Sequence, residues 1–211
     1  MTFDTIASAY DPLARLVFGR SLQRAQIRLL PRLPPGGRWL ILGGGTGWLL
    51  EQVLDQCAPD YVLYLEASGQ MLALSEKRVQ RHPARNRVQF RQGTEASLSQ
   101  QEPFSVILTP FVLDLFSESW LAERMIPQLL QHLATGGYWL VTDFVPTNVW
   151  WQRGLVGAMH LFFRWTAGLR SNRLPDWLPL IQQRLPSVAQ EAAVNGMVLS
   201  VLFSRSSAAS P

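Results

Sequence analysis

The sequence predicts an α/β fold: a doubly wound, mostly parallel sheet with helices on both faces, an antiparallel terminal strand and a helical insertion. Three observations predict it. Short apolar runs alternate with helix-length amphipathic segments between residues 38 and 144, the pattern of successive βαβ units. A glycine-rich turn, "GGGTG" (43–47), joins the first of those runs to a helix. Near the C-terminus two further runs flank Asn195-Gly196, a dipeptide that favours a tight hairpin and hence an antiparallel strand.

The elements follow in order. Residues 3–33 read as helical, with a break near Pro12 and a stop at "PPGG" (34–37). "RWLIL" (38–42) is a strand, and "GWLLEQVLDQC" after the turn is a helix. "YVLYLE" (61–66) is the second strand and "SGQMLALSEKRVQRH" the next helix. "RVQFRQG" (87–93) alternates like a strand, and "FSVILTP" (104–110) is apolar and rich in β-formers. "SESWLAERMIPQLLQHL" (117–133) is a helix capped by Ser117 or Ser119, followed after Gly136-Gly137 by the strand "GGYWLVTDF" (136–144). Residues 147–185 form a long aromatic-rich insertion, and "SVAQEAAVNGMVLSVLFSR" (187–205) is the terminal hairpin. No repeat divides the 211 residues, so 1–211 is read as a single domain.

Composition narrows the function classes. The longest apolar candidate, "GLVGAMHLFFRWTAGL" (154–169), carries His160 and Arg164 and is not expected to span a membrane. The early acids Asp4 and Asp11 do not fit a secretory leader, and the expected location is cytoplasmic. The lone Cys57 excludes an internal disulfide and a multi-cysteine metal site; no metal is expected. Between Asp11 and Glu51 the chain has six arginines and no acid, with Arg20, Arg24 and Arg28 on one helix face. That face suits solvent or an anionic surface. No nucleic-acid motif accompanies it, so no nucleic-acid partner is expected.

The glycine turn restricts the ligand. A phosphate-binding P-loop ends in Gly-Lys-Ser/Thr, whereas this turn ends in Gly47-Trp48. A dinucleotide fingerprint needs a small third residue for close helix–strand packing; here that position is Trp48 or Leu50. Nicotinamide and flavin sites are therefore disfavoured. A nucleoside ligand that approaches bare backbone fits better. Glu66 ends the second strand, 19 residues after Gly47, where an acid can accept two ribose hydroxyls. As a strand-end carboxylate, it is expected to be removable with little change in stability.

At these positions the sequence resembles the class I S-adenosylmethionine-dependent methyltransferases, most nearly the branch with the quinone-biosynthesis and related small-molecule enzymes. The resemblance covers about residues 3–145 and the terminal hairpin. It rests on six segments: "FDTIASAYD" (3–11), "ILGGGTG" (41–47), "LYLEASGQML" (63–72), "VQFRQGTEASL" (88–98), "FSVILTPFVLDLF" (104–116) and "LLQHLATGGYWLVTDF" (129–144). It implies a Rossmann-like, seven-stranded sheet and S-adenosylmethionine as cofactor. It also implies cofactor contacts from Tyr10, Gly43, Gly44, Gly45, Thr46, Glu66, Ala67, Met71, Thr94, Glu95 and Thr109. Three positions depart from the family pattern. Ile41 stands where an acid is usual, Thr94 where an Asp follows the third strand's glycine, and Ser105 where the fourth strand usually has Asp.

The implied reaction is methyl transfer to a small, hydrophobic or aromatic acceptor, with a non-catalytic nucleoside-binding module as the alternative. Tyr10 would lie against the sulfonium. Asp114 and Asp143 are candidate general bases, or structural carboxylates that bond nearby backbone. The insertion holds Trp150, Trp151, Trp165 and Trp177, half of the eight tryptophans, and a stripe of Arg153, His160 and Arg164. It reads as a helical lid over the acceptor. The same composition fits a packed helical layer, a homodimer interface or peripheral contact with a membrane surface.

Overall fold

In a computed structural model, which describes residues 20–99, 102–147 and 174–206, the alternating runs become seven strands in one sheet. They are β1 (Arg38–Leu42), β2 (Tyr61–Glu66), β3 (Val88–Gln92), β4 (Phe104–Pro110), β5 (Leu133–Phe144), β6 (Ser187–Ala193) and β7 (Val198–Ser204). Their order is β3-β2-β1-β4-β5-β7-β6. The first five run parallel, and β7 lies antiparallel between β5 and β6. The terminal hairpin thus inserts its second strand against β5 and leaves its first at the edge. Its turn carries Asn195 at φ +53° and Gly196 at φ +86°, the left-handed pair that the dipeptide supplies most easily.

Side-chain alternation along β1 divides the core in two. Leu40 and Leu42 pack with β2, β4 and β5 residues on one face; Trp39 and Ile41 pack on the other. Helices α1 (Ser21–Ile27), α2 (Trp48–Gln56) and α3 (Gly69–Val79) precede and follow the first two strands. α2 buries Leu49, Leu50, Val53 and Leu54 against the Trp39–Ile41 face. The opposite face is covered in part by a helical run: α4 (Glu118–Trp120), a π-helical stretch (Leu121–Met125) and α5 (Ile126–His132). The Ser117 hydroxyl accepts from the Trp120 N–H and starts that run.

The described end of the insertion packs in the interior. In α6 (Trp177–Gln182), Trp177 and Ile181 are fully buried in the cluster that includes Trp139 and Phe203. The Trp177 indole donates to the Phe144 carbonyl at 2.8 Å. Trp177 is thus a core residue and not one of the aromatics free to line a lid. The lid reading of Trp150, Trp151, Arg153, His160, Arg164 and Trp165, and the helical reading of residues 3–19, lie outside the described residues. Among the described residues no helix is long and apolar enough to cross a membrane.

Candidate functional site

The parallel register brings the ends of β1, β2 and β3 together at one edge of the sheet, with Leu42 beside Leu65 and Glu66 beside Gln92. The glycine turn leaves β1 there. Gly43, Gly45 and Gly47 have φ of +68°, +62° and +82°, values that carry a steric penalty for any residue with a Cβ. Gly44 is glycine for another reason: a Cβ on it would lie 2.5 Å from the Tyr64 ring. Beyond Gly45, by contrast, the nearest atom to an added Cβ is Met71 Sδ at 4.0 Å. The backbone at Gly45 is therefore bare and faces open space, as a ligand that contacts main chain requires.

Glu66 grips this turn. Its Oε2 accepts from the Gly45 N–H at 3.0 Å and its Oε1 from the Ser68 N–H at 2.9 Å. The side chain is only 6% exposed. Burial pushes the carboxyl above the ordinary glutamate range, and the backbone N–H donors oppose that shift. Each oxygen retains a further lone pair, enough to accept two hydroxyls. The two bonds tie β2 to the turn and to the residue that caps α3, a structural task beyond that of a strand-end carboxylate. Ser68 completes the corner: its hydroxyl caps α3 by accepting from the Met71 N–H at 3.2 Å.

The other positions group around this corner. The Thr46 carbonyl accepts from Arg78 Nε at 2.9 Å. Ala67 is exposed and its carbonyl accepts from Gln92 Nε2 at 3.3 Å. After β3, Thr94 is exposed and caps the short turn Glu95–Ser97 by accepting from the Ala96 N–H. Glu95 is buried, which raises its carboxyl pKa, and its carbonyl accepts from Gln128 at 2.6 Å. Gly43–Gly45, Thr46, Glu66, Ala67, Met71, Thr94 and Glu95 thus lie along one edge, opposite three neighbouring strand ends.

Residues 40–137 match the family model described as a methyltransferase domain. That stretch, just under half of the chain, is thus similar to methyltransferase domains. Solved structures agree in fold. The N-methyltransferase NodS from Bradyrhizobium japonicum, in complex with S-adenosyl-l-homocysteine, is 14% identical with a TM-score of 0.61, over 87% of this chain and 83% of that one. A putative S-adenosyl-l-methionine-dependent methyltransferase from Methanococcus maripaludis is 14% identical with a TM-score of 0.64, over 96% and 93%. An O-methyltransferase family 2 protein from Planctomyces limnophilus, in complex with apigenin, is 16% identical with a TM-score of 0.71, over 94% and 61%. No curated protein matches the sequence significantly.

One expected contact has its side chain turned elsewhere. Thr109 is fully buried, and its hydroxyl accepts from the Trp139 indole at 3.0 Å on the far face of β4. Its side chain belongs to the core. The loop after β4 does reach the site, because a Cβ on Gly43 would lie 2.5 Å from Val112 Cγ2. Tyr10 lies outside the described residues.

The two candidate bases form a buried pair behind that loop. Asp143 Oδ2 accepts from the N–H groups of Val112, Leu113 and Asp114 at 3.0, 2.7 and 3.4 Å, and Oδ1 from that of Phe144 at 2.8 Å. Asp143 therefore shapes the loop, which is the structural role. Asp114 Oδ1 is buried without a hydrogen-bond partner. Burial pushes Asp114 up to about 6, and burial with the neighbouring Asp114 raises Asp143 as well. Both shifts favour a proton shared by the pair, held until pH rises through about 6. Four N–H donors favour the charge on Asp143 and leave the proton to Asp114.

Sequence reasoning missed Tyr64, Ser68 and Val112 as parts of the site. Tyr64 was legible only through pairing: aligning the ends of β1 and β2 sets it beside Ile41, directly below the turn.

Proposed function

We propose that the protein transfers a methyl group from S-adenosylmethionine to a small, hydrophobic or aromatic acceptor. The observation that carries this reading is the corner at Gly45 and Glu66, where open backbone and a buried carboxylate with spare lone pairs meet at adjacent strand ends. It suits a ligand with a ribose and no phosphates. In this reading Gly43–Gly45 and Thr46 hold the amino-acid end of the cofactor and Glu66 accepts the ribose hydroxyls. Ala67, Met71, Thr94 and Glu95 flank the adenine. When bound, the cofactor supplies an electrophilic methyl on a sulfonium. The chain's part is to orient it, align the acceptor and exclude water. Tyr10 and the insertion would complete the pocket, and the aromatic content of the insertion favours an apolar acceptor. The quinone-biosynthesis branch remains the nearest family pattern for that acceptor.

Calorimetry tests the reading. S-adenosylhomocysteine should bind and NAD should not. Binding of NAD alone would replace the methyltransferase reading with an oxidoreductase one. Binding of S-adenosylhomocysteine without methylation of any compound in a host extract supplied with labelled cofactor would favour the non-catalytic module.

A further inference from the structure

We infer that the Tyr64 hydroxyl is a positioning group for the cofactor: with Glu66 it locks the conformation of Gly45 and so sets the shape of the turn that takes the cofactor's amino-acid end. This inference rests on the cofactor reading above.

The geometry is specific. Tyr64 and Glu66 are two residues apart on β2, so both side chains project to the face that carries the glycine turn. The Tyr64 O–H donates to the Gly45 carbonyl at 2.8 Å, while Glu66 accepts from the Gly45 N–H at 3.0 Å. These two groups belong to the peptide planes on either side of the Gly45 Cα. Fixing both planes fixes φ and ψ of a residue that would otherwise have the widest freedom in the chain. Within the turn the Gly47 N–H donates to the Gly44 carbonyl at 3.4 Å, so Gly45 is the residue that the β2 side chains fix.

Tyr64 is itself closely packed. It is fully buried, and its ring packs on Phe90 with centroids 5.4 Å apart. Gly44 passes so close over the ring that it has no room for a Cβ. Burial raises the phenol's pKa well above its ordinary value, so it stays a donor across the working pH range. A group this enclosed cannot touch the methyl acceptor. It acts through the turn.

The test is Tyr64→Phe, which keeps the ring and removes the hydroxyl, read in two ways. Calorimetry compares S-adenosylhomocysteine with 5′-methylthioadenosine, which lacks the amino-acid end. The variant should bind the first about tenfold more weakly, the effect of one hydrogen bond, and the second unchanged. Amide hydrogen exchange should quicken at Gly45 and Gly47 and stay unchanged in β1 and β2. Equal weakening of both ligands would assign Tyr64 a general structural role and overturn the inference. So would unchanged exchange at the turn. If the wild type bound neither ligand, the cofactor reading would fall, together with the cofactor part of this inference, whereas the exchange data would still decide whether the hydroxyl locks the turn. Gly44→Ala should displace the turn against the ring. If it weakened S-adenosylhomocysteine and Tyr64→Phe did not, the ring and not the hydroxyl would be the positioning element.

Discussion

Replacing Glu66 with alanine should damage cofactor binding and fold stability together, by different routes. The carboxylate makes two internal bonds, to Gly45 N–H at 3.0 Å and Ser68 N–H at 2.9 Å. A hydrogen bond to a charged group contributes about 1.5–3 kcal/mol. Against this stands the cost of burying the carboxylate, seen in its raised pKa. Water can reach the freed N–H at the half-exposed Gly45 but less easily at buried Ser68. The net loss of stability should be on the order of 1–3 kcal/mol. Binding loses the ribose contacts as well, for about 2–4 kcal/mol because paired bonds are not additive, or roughly 30- to 1,000-fold in Kd. Urea unfolding of the apoprotein and calorimetry with S-adenosylhomocysteine separate the two. The ionised carboxylate is the better acceptor. Wild-type affinity should therefore fall on acidification at a pH above the usual glutamate range, and the alanine variant should lack that limb. An unaltered Kd would refute the ribose role; an unaltered unfolding midpoint would refute the clamp on the turn.

Two further perturbations follow from buried groups. The Asp114–Asp143 pair keeps a proton that the unfolded chain releases near pH 4, and burial pushes Asp114 up to about 6. Its stabilising effect is therefore complete below pH 4 and lost as pH rises through about 6. Asp114→Asn mimics the protonated acid. Its stability relative to wild type, from urea unfolding at pH 5 and pH 8, should improve at the higher pH, and a difference independent of pH would refute the shared proton. Trp177→Ala removes a fully buried ring and its bond to the Phe144 carbonyl, and should cost about 3–5 kcal/mol in the same assay. A loss below 1 kcal/mol would contradict its place in the core.

The sheet was legible because its signals are local. β1, β2 and β4 are short apolar runs, the helices after β1 and β2 start at Gly47 and at the Ser68 cap, and Asn195-Gly196 announces the hairpin. The hairpin's placement, with β7 inserted beside β5, depends on long-range pairing that no window of sequence contains. Gly43–Gly45 and Glu66 were legible from their spacing. The place of Thr109 in a motif does not say which face of β4 its side chain takes; alternation from the core residue Ile107 sets it with Trp139. For Trp177 the sequence left a lid and a packed layer both open, because aromatic content alone does not distinguish them; its burial selects the packed layer. Asp143 was ambiguous for a similar reason: its role depends on three loop N–H groups about thirty residues earlier in the chain.

The three departures from the family pattern can now be weighed by where they fall. Ser105 sits at the opening end of β4 and donates to the Arg38 carbonyl at 3.0 Å, where β1 also begins. Both strands must run their length before reaching the glycine turn, so this change is remote from the cofactor corner. Thr94 keeps a defined task after β3, capping the turn that presents Glu95. Ile41 is the substantive one, because it is two residues from Gly43 and fully buried. An acid there would be an isolated charge in an apolar cluster unless the turn's N–H groups satisfied it. In this chain the register partner of Ile41 is Tyr64, whose hydroxyl reaches Gly45 from below. On our proposal the turn is held by a neutral phenol on β2 in place of a carboxylate on β1. The loss of the acid then argues for a different support beneath the same turn and not for the loss of cofactor binding.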